Sequence, residues 1–263
     1  MPCELNIPGI TAPLRLQLHA GPERVSEQIR QQHIWEPYET TLMVRHLQPG
    51  DVFLDIGANI GYYSVIAATL VGAHGTVIAY EPETKNYQLL LANIALNHLT
   101  NVQPFMAALG DHNGKGHMYL CEDNQGDHQL YDDGSGRTES AVTIIHGDTH
   151  VSSLTQRVDF IKIDTQGSEV HILRGLQEVI CSNREHLSMV IEFWPYGLRQ
   201  AQTSGTELLE IIAGYDLPLF IIDHLAHRLI PACVTDLQPW VNNTDADPEN
   251  HGFLNLFLSA HTQ

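Results

Sequence analysis

The chain has few basic residues. Lys and Arg number 13 against 31 Asp and Glu, which gives a formal net charge of −18 over 263 residues. A surface this acidic repels phosphate backbones and anionic lipid headgroups. We therefore expect neither a nucleic-acid substrate nor binding to a membrane surface.

Cysteine is also scarce. The 4 cysteines lie far apart with no C-x-x-C spacing, which indicates free thiols in a reducing compartment rather than a disulfide framework. No run of about 18 apolar residues occurs, so we expect no membrane span. No basic segment followed by an apolar stretch starts the chain, so we expect no signal peptide and a cytoplasmic location. The 16 histidines show no metal-ligand spacing within a helix.

One glycine-rich turn joins an apolar strand to an apolar helix. An apolar run containing Asp55 leads into Gly57 and Gly61, which allow a tight turn and close approach of a ligand to the backbone. N–H groups at the start of the following helix can meet a ligand's polar atoms. The next strand, at residues 76–80, ends in Glu81, an acid placed to accept both hydroxyls of a ribose. These features predict a nucleoside cofactor.

The turn lacks the third glycine of the dinucleotide fingerprint. Its spacing is G-x-x-x-G with Asn59 between the glycines, whereas a pyrophosphate is admitted by the middle glycine of G-x-G-x-x-G. The carboxylate of Asp55 would repel a pyrophosphate, but it suits the cationic amino group of S-adenosylmethionine (SAM). The residues favour SAM over NAD. An NAD-dependent oxidoreductase, a non-catalytic SAM-binding protein and a turn without ligand remain as alternatives.

Strand and helix patterns alternate along the chain. They predict an α/β fold, with a seven-stranded, mostly parallel sheet and helices on both faces. The last two strands, at 217–222 and 252–258, are predicted to form an antiparallel edge joined by a polar loop at 242–250.

The domain organisation follows from the same patterns. Residues 1–34 are interpreted as an N-terminal extension and 35–263 as one domain. Residues 110–150 break the alternation and are interpreted as an insertion. Within it, 118–120 and 141–145 are predicted to pair as strands, and the insertion is a candidate substrate lid.

Four predicted strands end in acids, namely Asp55, Glu81, Asp164 and Glu192. Carboxyl ends of parallel strands share one edge of a sheet, so these acids are expected in one polar cleft. Asp55 and Glu81 are assigned to the cofactor, which leaves Asp164 and Glu192 for the substrate. Lys162 lies on the same strand face as Asp164. It is either a structural ion-pair partner or a group that orients the substrate.

Three segments resemble the FkbM-type family of SAM-dependent methyltransferases. They are residues 49–64, Tyr80-Glu-Pro82 and 159–169. The last follows the family's Lys-x-Asp-x-acid-Gly-x-Glu signature, except that Gln166 stands where the family more usually has Glu. Residues 35–39 resemble the family's entry helix. The resemblance implies a class I, Rossmann-like methyltransferase fold and O-methylation of a hydroxyl on a small molecule, sugar or natural product.

Site roles are predicted from position and from this resemblance. Cofactor contacts are expected from Glu36, Asp55, Gly57, Asn59, Gly61, Glu81, Pro82, Ala108 and Asp164. The two glycines and Asn59 are expected to hold the methionine part, and Glu81 the ribose. Ala107 and Ala108 are expected to lie against the adenine, with Glu36 and Glu39 closing over the cofactor or facing solvent.

The catalytic candidates are Asp164, Glu192 and Lys162. Glu169 and His171, on the helix that follows, are secondary candidates whose charges could instead cap that helix or face water. An alcohol loses its proton as it is methylated, so a positioned base contributes about 10²–10⁴-fold. A divalent metal shared by Asp164 and Glu192 is an alternative, although two carboxylates are too few to define a site. The acceptor is predicted to be a small-molecule or glycosidic hydroxyl. A substrate tethered to a carrier protein is a further alternative.

Overall fold

The computed structural model describes residues 2–21, 23–121, 128–132, 134, 136–247 and 249–261. The strands lie, in chain order, at β1 Cys3–Glu4, β2 Arg15–Leu16, β3 Val52–Ile56, β4 Thr76–Tyr80, β5 Val102–Phe105, β6 Ala108–Gly110, β7 Gly114–Leu120, β8 Thr138–His146, β9 Phe160–Ile163, β10 Ser188–Phe193, β11 Leu219–Asp223, β12 Arg228–Ala232 and β13 Leu254–Ser259. The α-helices lie at α1 Arg24–Gln32, α2 Pro37–His46, α3 Tyr62–Val71, α4 Thr84–Leu96, α5 Gly147–Leu154, α6 Glu169–Gly175, α7 Gln177–Asn183, α8 Pro195–Gln200, α9 Gly205–Ala213 and α10 Val234–Ala246. No helix in this described part combines the length and apolarity needed to cross a membrane.

The main sheet has the strand order β12-β11-β13-β10-β9-β3-β4-β5. Neighbours from β10 to β5 pair in parallel, whereas β13 is antiparallel to both β10 and β11. The predicted α/β fold with a mostly parallel sheet and an antiparallel last strand is therefore confirmed. The predicted count of seven strands is wrong by one within the described residues, because β12 pairs with β11 and adds an edge strand.

The segment between β11 and β13 differs most from the prediction. The polar loop predicted at 242–250 is wrong for its first residues, because α10 continues to Ala246. Asn, Asp and Thr are poor helix formers, but α10 buries Leu237, Val241 and Thr244 on one face. Such burial outweighs propensity in proteins. The predicted antiparallel pairing of the last two strands is confirmed, since β11 pairs with β13, but within the described residues the outermost strand on that side is β12.

Helices cover both faces of the sheet, as predicted. Along β3, Leu54 and Ile56 pack into one buried cluster with α6 and α9, whereas Phe53 packs into another with α2 and α3. Successive residues of a strand face opposite sides, so one strand serves both clusters. This double burial explains why β3 and β4 consist almost entirely of apolar residues.

Two smaller sheets flank the main one. β1 pairs with β2, and Leu16 and Ile29 of this region join the cluster that contains α3. The boundary at residue 34 stays a prediction. In the predicted insertion, β8 pairs with β6 and, antiparallel, with β7. The two predicted segments thus lie on neighbouring strands, but their predicted register is wrong, because 118–120 pair with 138–140 and 141–144 pair with 114–117. Residues 122–127, 133 and 135, at the predicted tip, lie outside the described residues.

Candidate active site

A cavity of about 610 Å³ opens where β3, β4, β9 and β10 end. This volume is typical of small-molecule sites. Most predicted site residues border the cavity, namely Glu36, Gly57, Asn59, Glu81, Pro82, Ala108, Lys162, Asp164 and Glu192. Asp55 and Gly61 are set back from it.

The cavity has two halves, because β4 and β10 lie on opposite sides of β3 in the sheet. We call the part around Asn59, Glu81 and Ala108 the cofactor half. The part around Glu36, Glu39, Asp164, Glu192 and Asn255 is called the acceptor half.

The turn after β3 is shaped by a contact between two backbones. Gly57 has a φ of +81°, and a Cβ atom there would lie 2.0 Å from the carbonyl oxygen of Asp164. Gly61 is also fixed by packing, since its Cβ would lie 2.5 Å from Cδ1 of Leu90. The glycines were predicted to admit a ligand. Close packing against the residue after β9 and against α4 also requires glycine at both positions, and the contact of these glycines with a ligand stays a prediction.

Replacing Gly57 with Ala is expected to destabilise the fold. The left-handed conformation costs about 1–3 kcal/mol for a residue with a Cβ, and the clash with Asp164 adds about 1–3 kcal/mol of overpacking. Thermal unfolding measures the loss. Gly50→Ala is the matched control, because Gly50 has a φ of +95° with no atom within 4 Å of its Cβ. Equal losses in the two variants would contradict the packing argument.

Glu81 is held rigidly at the end of β4. Its Oε2 accepts from the backbone N–H of Asn59 at 2.7 Å, and its Oε1 accepts from that of Glu83 at 2.8 Å. Burial raises the pKa of the carboxyl to about 8, despite these two hydrogen bonds. A carboxylate oxygen accepts more than one hydrogen bond, so both oxygens retain capacity for a vicinal diol. In the described part, Oδ1 of Asn59 is buried beside Glu81 without a partner.

Asp55 lies beneath the cavity rather than in it. The residue is 1% exposed, and its Oδ2 accepts from the Ser64 hydroxyl at 2.5 Å. Burial raises its pKa to about 6, and the neighbouring Lys162, opposite it on β9, acts to lower that pKa. In this position Asp55 helps to hold Lys162 and the start of α3. Its predicted direct contact with the cofactor amino group stays a prediction.

The acceptor half contains a chain of polar contacts at the ends of β9 and β10. Lys162 Nζ donates to Asp164 Oδ2 at 2.7 Å and lies 4.6 Å from the centre of the Tyr63 ring. Gln166 Nε2 donates to Asp164 Oδ1 at 3.2 Å and to Glu192 Oε2 at 2.8 Å. An acid at position 166 would face two carboxylates, whereas this amide joins them. The sequence singled out Gln166 but not this bridge.

The pKa values in this cluster depend on burial and on neighbouring charge. Burial, followed by the nearby Asp164 and Glu169, raises the pKa of Glu192 well above its usual value. Burial acts to lower the pKa of Lys162, but the charges of Asp164 and Glu36 outweigh it and raise that pKa. Lys162 is therefore a permanent cation. Glu192 is a stronger base than an ordinary carboxylate.

The start of α2 forms the side of the acceptor half opposite β10. Glu36 precedes α2 with a φ of +41°, and Pro37 begins the helix. The Tyr63 hydroxyl donates to Glu36 Oε2 at 2.7 Å. Burial raises the pKa of Glu36 to about 7. Glu36 thus lies over the acceptor half, and its predicted closure over the cofactor stays a prediction.

Three further side chains support the site. Glu169 is fully buried, and its Oε1 accepts from the backbone N–H groups of Thr165 and Gly167 at 3.1 and 3.2 Å, which fixes the turn after β9. Tyr63 and Asn255 were not singled out as contacts, because they lie far along the chain from the acids that they bind.

Within the described residues, no group of three or more His, Cys, Asp or Glu is arranged to hold a metal ion.

Comparison with known proteins identifies the family. The profile of the methyltransferase FkbM domain matches residues 55–217, which is more than half of the chain. The protein named Methyltransferase 1 of Beauveria bassiana is 24% identical over 151 residues. That alignment covers 49% of this chain and 60% of the relative.

Solved structures show weak overall similarity. Methyltransferase FkbM from Methylobacillus flagellatus superposes with a TM-score of 0.47 at 13% identity, over 89% of this chain and 54% of that one. Fibrillarin from Aeropyrum pernix, solved with natively bound S-adenosyl-L-methionine, gives a TM-score of 0.44 at 10% identity, over 81% and 68%. The profile match carries the assignment: the chain belongs to the methyltransferase FkbM domain family, whose cofactor is SAM.

Proposed function

We propose that the protein transfers the methyl group of SAM to a hydroxyl of a small molecule, sugar or natural product. The observation that carries this proposal is the carboxyl group of Glu192. It borders the cavity, binds an amide rather than a cation, and has a raised pKa. Such a group is suited to remove a hydroxyl proton.

The residues of the cofactor half fit SAM. Glu81 presents a fixed carboxylate to the ribose diol. Asn59 borders the same cavity, and its Oδ1, which has no partner among the described residues, is a further acceptor. Ala107, Ala108 and Leu109 offer an apolar surface for a purine. We propose that Pro82 and the loop containing Asp164 complete the cofactor contacts.

Bound SAM supplies an electrophilic methyl group, and its transfer forms a C–O bond and leaves S-adenosylhomocysteine (SAH). The hydroxyl proton passes to a carboxylate oxygen of Glu192 as that bond forms. Gln166 holds Glu192 beside Asp164, and Lys162 pairs with Asp164. We assign Glu192 as the base and Asp164 with Lys162 as the groups that hold the acceptor.

The other predicted functions have less support. The profile match to a methyltransferase family argues against the NAD-dependent oxidoreductase. A protein that only binds SAM would not need a buried carboxyl group such as Glu192, which borders the cavity and is paired with an amide rather than with a cation. We retain two proposals about the substrate. First, the predicted insertion acts as a lid over the substrate, since Met118, His128 and Leu130 border the cavity. Second, the acceptor is tethered to a carrier protein, and such tethered acceptors are to be screened after free small molecules.

The proposal is tested with SAM carrying a ¹³C-labelled methyl group. The protein is incubated with hydroxylated acceptors and with matched compounds whose hydroxyls are blocked, and the new methyl signal is assigned by NMR. We expect a methyl group bonded to oxygen, from the unblocked compounds alone. A methyl group bonded to nitrogen would contradict the proposal. SAH binding without transfer to any acceptor would favour the non-catalytic alternative.

A further inference from the structure

The acceptor half has more carboxyl groups than cations. The carboxyl groups of Glu36, Glu39, Asp164 and Glu192 border it, and Lys162 is the buried cation among them. Lys162 already pairs with Asp164. Burial raises the pKa of Glu36 and of Glu192, which favours their neutral forms. Glu39 is therefore the acid left without a cationic partner among the described residues.

The other described bases that border the cavity do not supply a partner for Glu39. Arg24 borders the cavity but is exposed. Burial lowers the pKa of His128 to about 4, so its ring is neutral. His224 and His251 also border the cavity, and in the described part of the chain no ion pair joins either of them to an acid.

Among the described acids that border the cavity, Glu39 alone has a buried carboxylate oxygen without a hydrogen-bond partner. It is 3% exposed, and its Oε1 accepts from Asn255 Nδ2 at 2.9 Å. Its Oε2 is buried and has no hydrogen-bond partner among the described residues. An unpartnered buried carboxylate oxygen is costly, so a ligand that donates to it gains affinity.

We propose that the methyl acceptor is a hydroxylated amine, such as an amino sugar or aminocyclitol, whose ammonium group binds to Glu39 in the acceptor half. The inference rests on the methyl-transfer function proposed above. The ammonium donates to Oε2 of Glu39, and the negative charge of Glu39 balances the positive charge of the ammonium. Trp35, Tyr63 and Trp194 border the same cavity and offer aromatic faces to a cation or a sugar ring.

This assignment also explains why the methyl group goes to oxygen rather than to nitrogen. A nitrogen held as an ammonium has no lone pair and cannot accept a methyl group. The adjacent hydroxyl can react once a carboxylate takes its proton. Acidic residues that bind the amine thus direct the methyl group to oxygen.

The first test measures binding to protein saturated with SAH, so that no turnover is needed. Glucosamine and 2-deoxystreptamine are compared by calorimetry with their N-acetylated counterparts. We expect the free amines to bind at least about tenfold tighter, as expected for a charge-assisted hydrogen bond. Equal affinities, or no binding by either amine, would overturn the inference.

Glu39→Gln provides the second test. This isosteric change keeps an oxygen for Asn255 and removes the charge. It should weaken amine binding about 10- to 100-fold and leave the affinities for SAH and the N-acetylated compounds unchanged. Glu210→Gln on the exposed face of α9 is the control. An equal loss of SAH affinity would assign Glu39 to the cofactor and overturn the inference. O-methylation without amine preference would overturn it while leaving the proposed function intact.

Discussion

Glu192→Gln is expected to lower kcat about 10²–10⁴-fold, the usual contribution of a general base. The amide keeps the size of the side chain but cannot accept the hydroxyl proton. Because Glu192 lies in the acceptor half, away from Glu81, the affinity for SAH should not change. SAH release with the acceptor found by ¹³C labelling measures kcat, and calorimetry measures SAH binding.

The variant Asp164→Asn distinguishes the role of Asp164 from that of Glu192. Asp164 is the closest anion to Lys162, so this variant disturbs acceptor binding and should raise KM. Glu178→Gln, at an exposed position of α7, is the control for a lost surface charge. Full kcat in Glu192→Gln, together with its loss in Asp164→Asn, would assign the base to Asp164 instead.

The pH dependence of the wild-type rate should identify the same group. A base acts when deprotonated, and burial raises the pKa of Glu192 well above its usual value. The rate should therefore rise with pH and fall as acidification protonates Glu192. Glu192→Gln should lack this rising limb. A wild-type rate that is flat with pH would argue against a titrating base.

Glu81→Ala is expected to weaken SAH binding about 100-fold or more. The carboxylate is placed to accept both ribose hydroxyls, and each charge-assisted hydrogen bond contributes about 1.5–3 kcal/mol. The variant also leaves the N–H groups of Asn59 and Glu83 without their acceptor. Calorimetric titration with SAH measures the affinity.

Glu81→Gln separates these two effects. It keeps one carbonyl oxygen as an acceptor and should fall between Glu81→Ala and wild type. Glu210→Ala is the surface control. Because burial raises the pKa of Glu81 to about 8, wild-type affinity should improve as pH rises towards that value. SAH binding unchanged in Glu81→Ala would disprove the assignment of this acid to the cofactor.

The parts of the fold that depend on local patterns were predictable. Strands β3 and β4 are mostly apolar, with Asp55 next to the last residue of β3 and Glu81 directly after β4. Helix α10 and strand β12 were missed. The stability of α10 comes from burying Leu237 and Val241 against the rest of the protein, and that contact is invisible in a segment rich in Asn and Asp.

The acidic residues of the candidate site could be predicted from the sequence, but the hydrogen bonds that join them to other side chains could not. Sequence placed Asp164 and Glu192 at one edge. It could not show that Gln166 joins them, since that bridge depends on the conformation of residue 166, whose φ is +55°. The pairing of Glu39 with Asn255 joins positions 216 residues apart, so no spacing rule reveals it.

The contact between Gly57 and the carbonyl of Asp164 leaves no room for even a methyl group. The two loops that it joins are therefore expected to open together in slow fluctuations, because neither can shift without displacing the other. Slowed amide hydrogen exchange on cofactor binding should then extend from the turn after β3 to residues 164–167. A cofactor bound on one loop would in this way order the other before the acceptor arrives.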